Sequence, residues 1–159
     1  MTKLLNVKPF RQTPRYCGPA SLKIVLEYYG ISKSEKELVR MTRCTKRDGT
    51  KAKNIVLAAR KLGLNAYMRD NSSISKISAL LKKGIPTIVD WFSDDEGHYS
   101  VVVGIDNKQI YLQDPELGRV KKIDRKTFMR VWFDFEDEYL KNSKGLILRR
   151  IVVIYNKKI

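Results

Sequence analysis

Gly97-His98-Tyr99-Ser100-Val101-Val102-Val103-Gly104-Ile105-Asp106 holds the chain's single histidine at the head of a valine-rich run. β-Branched residues in so short a run predict a buried strand, over Tyr99–Ile105. Asp106-Asn107 is turn chemistry, and Gln109–Gln113 then reads as the returning strand. Arg119–Ile123 alternates weakly and continues an antiparallel meander. Upstream, Ile85–Trp91 is a short apolar strand. Downstream, Asp124 to about Trp132 reads as a helix, and Leu146–Tyr155 as a closing strand.

The first part of the chain has a different period. Pro19 suits the first turn of a helix from about Cys17 to Tyr29, and Gly30 is its natural stop. Ser34 with Glu37 has capping-box spacing and starts a second helix. A third helix runs from near Thr50 to Gly63, and a fourth from about Ile74 to Lys83, ended by Gly84. Helices first and strands second predict an α+β fold. The 159 residues suit a single domain over 1–159, with a helical lobe over about 1–64 and a mostly β lobe over about 65–159.

Composition narrows the function. A hydrophobic share of 43% can fill a core, which argues against global disorder. No apolar run approaches the ~18–20 residues of a membrane helix, and the first residues lack the apolar stretch of an export signal. The expectation is therefore a cytoplasmic protein with no membrane span. The formal charge is +15, and it is uneven: residues 1–64 carry 15 basic and 4 acidic residues, residues 65–159 carry 17 and 13. A positive lobe attracts acidic partners. No zinc-finger spacing and no aromatic RNA-binding signature accompany the charge, so a solvated basic surface is favoured over nucleic-acid binding. One histidine argues against a structural zinc site, and nothing in the sequence requires a cofactor or a metal.

Four residues can do chemistry together. Cys17 precedes Gly18-Pro19 at a helix start, where unpaired N–H groups and the positive dipole end favour a thiolate. His98, at a strand end beside the acidic stretch Asp94-Asp95-Glu96, can take a thiol proton. If those three acids lie close in space, they should raise its pKa. Asp114 ends the next strand, where its carboxylate can accept Nδ1–H of His98 and fix the tautomer. Asp106 is a rival, but roughly 25 Å of strand separates it from His98. Gln12, five residues before Cys17, can offer an amide to an oxyanion, a contribution of roughly 3 kcal/mol in known sites. Cys44 reads as a minor structural thiol, although the sequence also permits a Cys17–Cys44 bridge.

Taken in order, Gln12, Cys17-Gly18-Pro19-Ala20-Ser21-Leu22, Tyr28-Tyr29-Gly30, Gly97-His98-Tyr99, Gly104-Ile105-Asp106 and Asp114-Pro115-x-x-Gly118 resemble the papain-like cysteine peptidases. The nearest resemblance is to the bacteriocin-processing, double-glycine-leader peptidases and their stand-alone relatives, over about residues 9–132. The resemblance implies a papain-like fold, a helical lobe bearing the Cys against an antiparallel sheet bearing the His. It also implies Cys17 as nucleophile, His98 as general base and then acid, Asp114 as orienter and Gln12 as oxyanion donor. In that family the Gln stands six residues before the Cys, where this chain has Arg11. The implied partner is a peptide or protein substrate, acidic or with a double-glycine leader. The alternatives are an acyl transferase, a catalytically inactive peptidase fold that holds peptides, and a basic nucleic-acid binder.

Overall fold

The computed structural model describes residues 2–156. It is an α+β fold with the helices first. Helix α1 spans Cys17–Tyr28, α2 Glu35–Met41 and α3 Ala52–Lys61. Strand β1 (Asn65–Arg69) and helix α4 (Ile74–Lys82) follow, then β2 (Thr87–Ser93), β3 (Glu96–Ile105), β4 (Gln109–Asp114) and β5 (Arg119–Asp124). Helix α5 (Arg125–Val131), β6 (Phe133–Phe135), a short 3-10 turn, β7 (Leu146–Leu148) and β8 (Ile151–Tyr155) complete the order. Among the described residues no helix is long and apolar enough to cross a membrane.

Six strands form one antiparallel sheet in the order β1-β8-β2-β3-β4-β5, and β6 and β7 form a separate ribbon. The meander β3–β5 matches the expectation, and β2 extends it by pairing with β3. Asp94 and Asp95 make the β2–β3 turn, both with positive φ (44° and 72°), the backbone that matches hairpin twist. Two differences appear. The strand over Asn65–Arg69 was not expected, because its side chains do not alternate cleanly. The segment Leu146–Tyr155 is two strands rather than one. Arg149 takes a positive φ of 50° and breaks it, so Leu146–Leu148 pairs with β6 while Ile151–Tyr155 enters the main sheet between β1 and β2.

Each sheet face has its own core. Ile88, Tyr99, Val101, Val103 and Val152 face α1 and α3, where Leu22, Val25, Leu26, Ile55 and Ala59 meet them. Val89, Trp91, Val102, Leu112 and Val153 face the other way, under Ile77 of α4 and Phe128 of α5. Helix α1 is nearly all apolar and buried, so it is a core element rather than a surface one. The Tyr-Tyr-Gly at its end anchors it: Tyr28 donates to the Gly84 carbonyl at 2.7 Å and Tyr29 to the Ile154 carbonyl at 2.8 Å. Ser34 and Glu37 form the expected reciprocal cap of α2. The packing fixes the N-terminal end of α1 against the upper end of β3, which is what positions the site.

Candidate active site

Cys17 is the first residue of α1, a free, partly exposed thiol. No acidic side chain lies in the first turn, so its orphan N–H groups are not neutralised there. Gly18 lets the helix start pack closely: a Cβ there would stand 2.6 Å from Thr50 Cβ. Thr50 in turn is held by the sheet, since its carbonyl accepts the Tyr99 hydroxyl at 2.8 Å.

His98 lies on β3 opposite Trp91 of β2, and the two rings meet edge to face at 5.8 Å. The imidazole is buried, and its Nε2 is 2.7 Å from Oδ1 of Asp114, which is also buried. The expected contact is therefore made, but by the other nitrogen. Asp114 engages Nε2 rather than Nδ1, and Cys17 lies close enough to the ring to act on its charge. Asp114 closes β4 and organises the turn after it, accepting Glu116 N–H at its carboxylate (3.0 Å) and Gly118 N–H at its carbonyl (2.8 Å). The Asp-Pro turn thus shapes the loop and orients the ring at once.

Burial alone would depress the His98 pKa. The hydrogen bond and charge of Asp114, together with those of Cys17, outweigh it and push the value up from 6.5 to about 10. The acids Asp94, Asp95 and Glu96 are not among the groups responsible, which corrects the expectation from sequence. They sit at the solvent tip of the hairpin. Asp106 is at the far end of β3, as its spacing required. It is held below the usual carboxylate range by the Tyr111 and Thr2 hydroxyls and the N–H groups of Lys108 and Gln109.

Gln12 reaches the same region. Its N–H donates to the Pro115 carbonyl at 2.8 Å, and its Oε1 is buried without a protein partner. Arg11, one residue earlier, is exposed and packs on Gly118. Of the two neighbours, Gln12 is the one turned inward. Cys44 is buried; its sulfur faces the carbonyls of Arg15 (3.9 Å) and Thr45 (3.8 Å), and burial pushes its thiol pKa up. It is not bridged to Cys17.

A second pair of acids was not expected. Asp90 on β2 is buried, and its cross-strand neighbour is Tyr99. Asp134 of β6 lays its carboxylate on Gly97, where a Cβ would stand only 2.3 Å from Oδ2. Burial and then the mutual repulsion of the two acids raise the Asp90 pKa well above normal, and burial raises that of Asp134 as well. We read the pair as sharing a proton. Arg150, gripped by Asp70 at 2.6 and 3.0 Å, is the nearby cation that opposes the shift. The sequence carried one signal for this: Asp90 is the only charge in the apolar run Ile85–Trp91. Phe92, opposite Gly97, stacks on Phe133 and Phe135 and clamps the ribbon in place.

Among the described residues, His98, Asp114 and Glu116 bring ligand atoms within 4.8 Å of one another. A cation there would compete with the His98–Asp114 bond.

The arrangement can transfer a proton between a thiol and a buried, oriented imidazole. Several known proteins have similar chains or folds. The model of the Peptidase C39 family matches residues 8–135. An uncharacterized protein of Methanothermobacter marburgensis is 34% identical over 123 residues, which is 77% of this chain and 80% of that one. The crystal structure of the peptidase domain of Streptococcus ComA, a bifunctional ABC transporter involved in quorum sensing, is 26% identical. It superposes with a TM-score of 0.71 over 96% of this chain and 100% of that one. A double-glycine-motif protease from an AMS/PCAT transporter, solved with a leader peptide, shares the fold with a TM-score of 0.73 at 24% identity, over 99% of each chain.

Proposed function

The chain belongs to the peptidase C39 family, and from that premise we propose that it is a cysteine peptidase that cleaves a peptide after a double-glycine leader in the reducing cytoplasm. The described residues act as one catalytic domain. The observation that carries the reading is the 2.7 Å bond between buried His98 and buried Asp114, with Cys17 near enough to the ring to perturb it.

Cys17 sulfur, as thiolate, attacks the scissile carbonyl carbon. The C=O electrons move to oxygen, and the Cys17 N–H with the Gln12 side-chain amide donates to that oxyanion. The C–N bond then breaks, and His98 gives its Nδ1 proton to the departing amine. What remains is a Cys17 thioester and a neutral imidazole. His98 next takes a proton from water, the hydroxide adds to the thioester carbonyl, and Cys17 leaves as thiolate beside the restored imidazolium. Asp114 holds the ring by Nε2–H throughout and offsets the imidazolium charge. An amine in place of water would make the same site an acyl transferase.

The test uses the purified chain and a fluorogenic peptide ending its leader in Gly-Gly. Wild type should release product, while Cys17→Ala and His98→Ala should each abolish turnover. Undiminished turnover in Cys17→Ala would defeat the proposal. One feature favours a second reading, a fold that holds peptides without cutting them: Gln12 stands one residue nearer the Cys than the family pattern. That reading requires binding by wild type with no thioester seen in intact-mass spectra.

A further inference from the structure

His98 is carried by the least supported stretch of its strand. The register of β3 with β4 begins at Val101, so residues 96–100 pair with β2 alone. One edge of that stretch is outside the sheet ladder. Asp114 fixes the imidazole at its tip, but the backbone beneath it needs an anchor of its own. The β6–β7 ribbon is placed to supply one. Strand β6 packs on both β2 and β3. Phe92, opposite Gly97, stacks on Phe133 and Phe135 with ring centroids 5.1 and 5.3 Å away. Asp134, between those two phenylalanines, lays its carboxylate on Gly97, the residue before His98, where any Cβ would collide with it.

Asp90 lies under the same cover. Strand side chains alternate, so the pairs Gly97–Phe92 and Tyr99–Asp90 put Asp90 on the face of the hairpin that Asp134 covers. The titratable and charged groups facing Asp90 are Asp134, Tyr99, Arg150 and Cys17, and Asp134 also faces Glu136. The two strong donors among them are engaged elsewhere. The Tyr99 hydroxyl donates to the Thr50 carbonyl at 2.8 Å, and the Arg150 fork grips Asp70 at 2.6 and 3.0 Å. Oδ1 of Asp90 is buried without a partner among the described residues. Asp134 accepts the Phe135 N–H through Oδ1 at 2.7 Å, which leaves Oδ2 uncommitted. Two carboxylates so placed repel each other. With one proton between them they form a charge-assisted O–H···O⁻ bond, a strong one.

We propose that Asp90 and Asp134 are positioning residues: one shared proton joins them, and this clip holds the β6–β7 ribbon on Gly97 and so fixes the stretch of β3 that presents His98. Its effect on turnover rests on the peptidase reading above; its effect on His98 does not. Burial and mutual repulsion both favour keeping the proton. The Phe92 stack sets where the ribbon lies, and the clip stops it from sliding along the hairpin.

The experiment uses the full purified chain at pH 7, with two readouts that need no turnover. Ordinary aspartates titrate near 3.9, so at pH 7 only a carboxyl held protonated gives an infrared C=O band that moves on carbon-13 labelling of aspartate. Wild type should show that band, and Asp90→Asn or Asp134→Asn should remove it. In carbon-13 NMR of the single histidine, Asp134→Ala should displace the ring signals, while Asp134→Asn should leave them in place. The Asn amide donates to Asp90 where the shared proton stood and keeps an oxygen for Phe135 N–H. Kinetics on the Gly-Gly peptide should follow the same order. Asp134→Ala should lower kcat about 10²-fold with KM within about twofold, and Asp134→Asn should restore kcat to within about threefold of wild type. Asp137→Ala, which removes an exposed acid further along the chain, should change none of these. The infrared band and Asp134→Asn test the clip even where the alanine variant does not fold. No protonated-carboxyl band in wild type would overturn the proposal, as would Asp134→Asn slowed or displaced as far as Asp134→Ala. If the band and the His98 signals behave as stated but wild type never cleaves, the peptidase reading fails and the clip stands. If wild type cleaves and Asp134→Ala keeps its kcat, the clip fails and the peptidase reading stands.

Discussion

The chain has one histidine, so its titration can be followed without assignment. The imidazole of His98 is pushed up to about 10 although burial opposes the charge. An unfolded histidine titrates near 6.5, so the folded state holds the proton more tightly. The stability from this site is full below about pH 6.5 and is lost as pH rises through about 10. At ~1.4 kcal/mol per pH unit, the interval is worth at most about 5 kcal/mol. Asp114→Asn keeps an oxygen for Nε2–H but removes the negative charge, so the ring stays oriented while its pKa falls. The assay is a carbon-13 NMR titration of histidine-labelled protein, paired with urea unfolding at pH 7 and pH 10. Wild type should remain imidazolium well above pH 8 and lose stability on the alkaline side. Asp114→Asn should titrate earlier, lose less stability between those two pH values, and move the alkaline limb of kcat/KM down. A wild-type midpoint near 6.5, unmoved by Asp114→Asn, would refute the reasoning.

Other substitutions separate the parts of the site. Gly97→Ala should cost about 2–4 kcal/mol in urea unfolding, because its Cβ would displace the Asp134 carboxylate and strand buried Asp90; a loss below about 0.5 kcal/mol would contradict that packing. Gln12→Ala should lower kcat by about 10²–10³ with little change in KM, as expected of a donor used only in the transition state; a pure KM effect would assign Gln12 to substrate binding. Cys44→Ala should leave turnover and Cys17 labelling unchanged and lower stability by about 1 kcal/mol, measured by thermal melting.

The parts of the fold that were legible in the sequence are those with a strong local signal. The Ser34–Glu37 cap and the valine run of β3 are specified by neighbours in the chain. Strand β1 was hidden because Asn65–Arg69 lies at the sheet edge and half of it faces solvent. The break at Arg149 was hidden because Leu146–Tyr155 reads as one β-branched run, and only pairing with Phe133–Phe135 divides it. The site shows the same division. Cys17 opens α1, Asp114 closes β4 and His98 lies near the start of β3, positions that motif spacing alone singles out. Which ring nitrogen meets Asp114 depends on the approach of β4 to β3, past a register shift between Val102 and Gly104, and no spacing rule carries that. Asp90 and Asp134 are 44 residues apart and meet only because the ribbon folds over the β2–β3 hairpin.

The proposed reaction passes through a covalent bond to one sulfur, that of Cys17. Intact-mass and peptide-mapping analysis of the chain after brief exposure to an activated ester of a Gly-Gly peptide reads that bond directly. The expected result is a single acyl adduct, confined to Cys17 and absent from Cys17→Ala. It should form much more slowly in His98→Ala and vanish as water completes the cycle in wild type. An adduct that maps to Cys44, or one that forms on Cys17 at the same rate with and without His98, would contradict it.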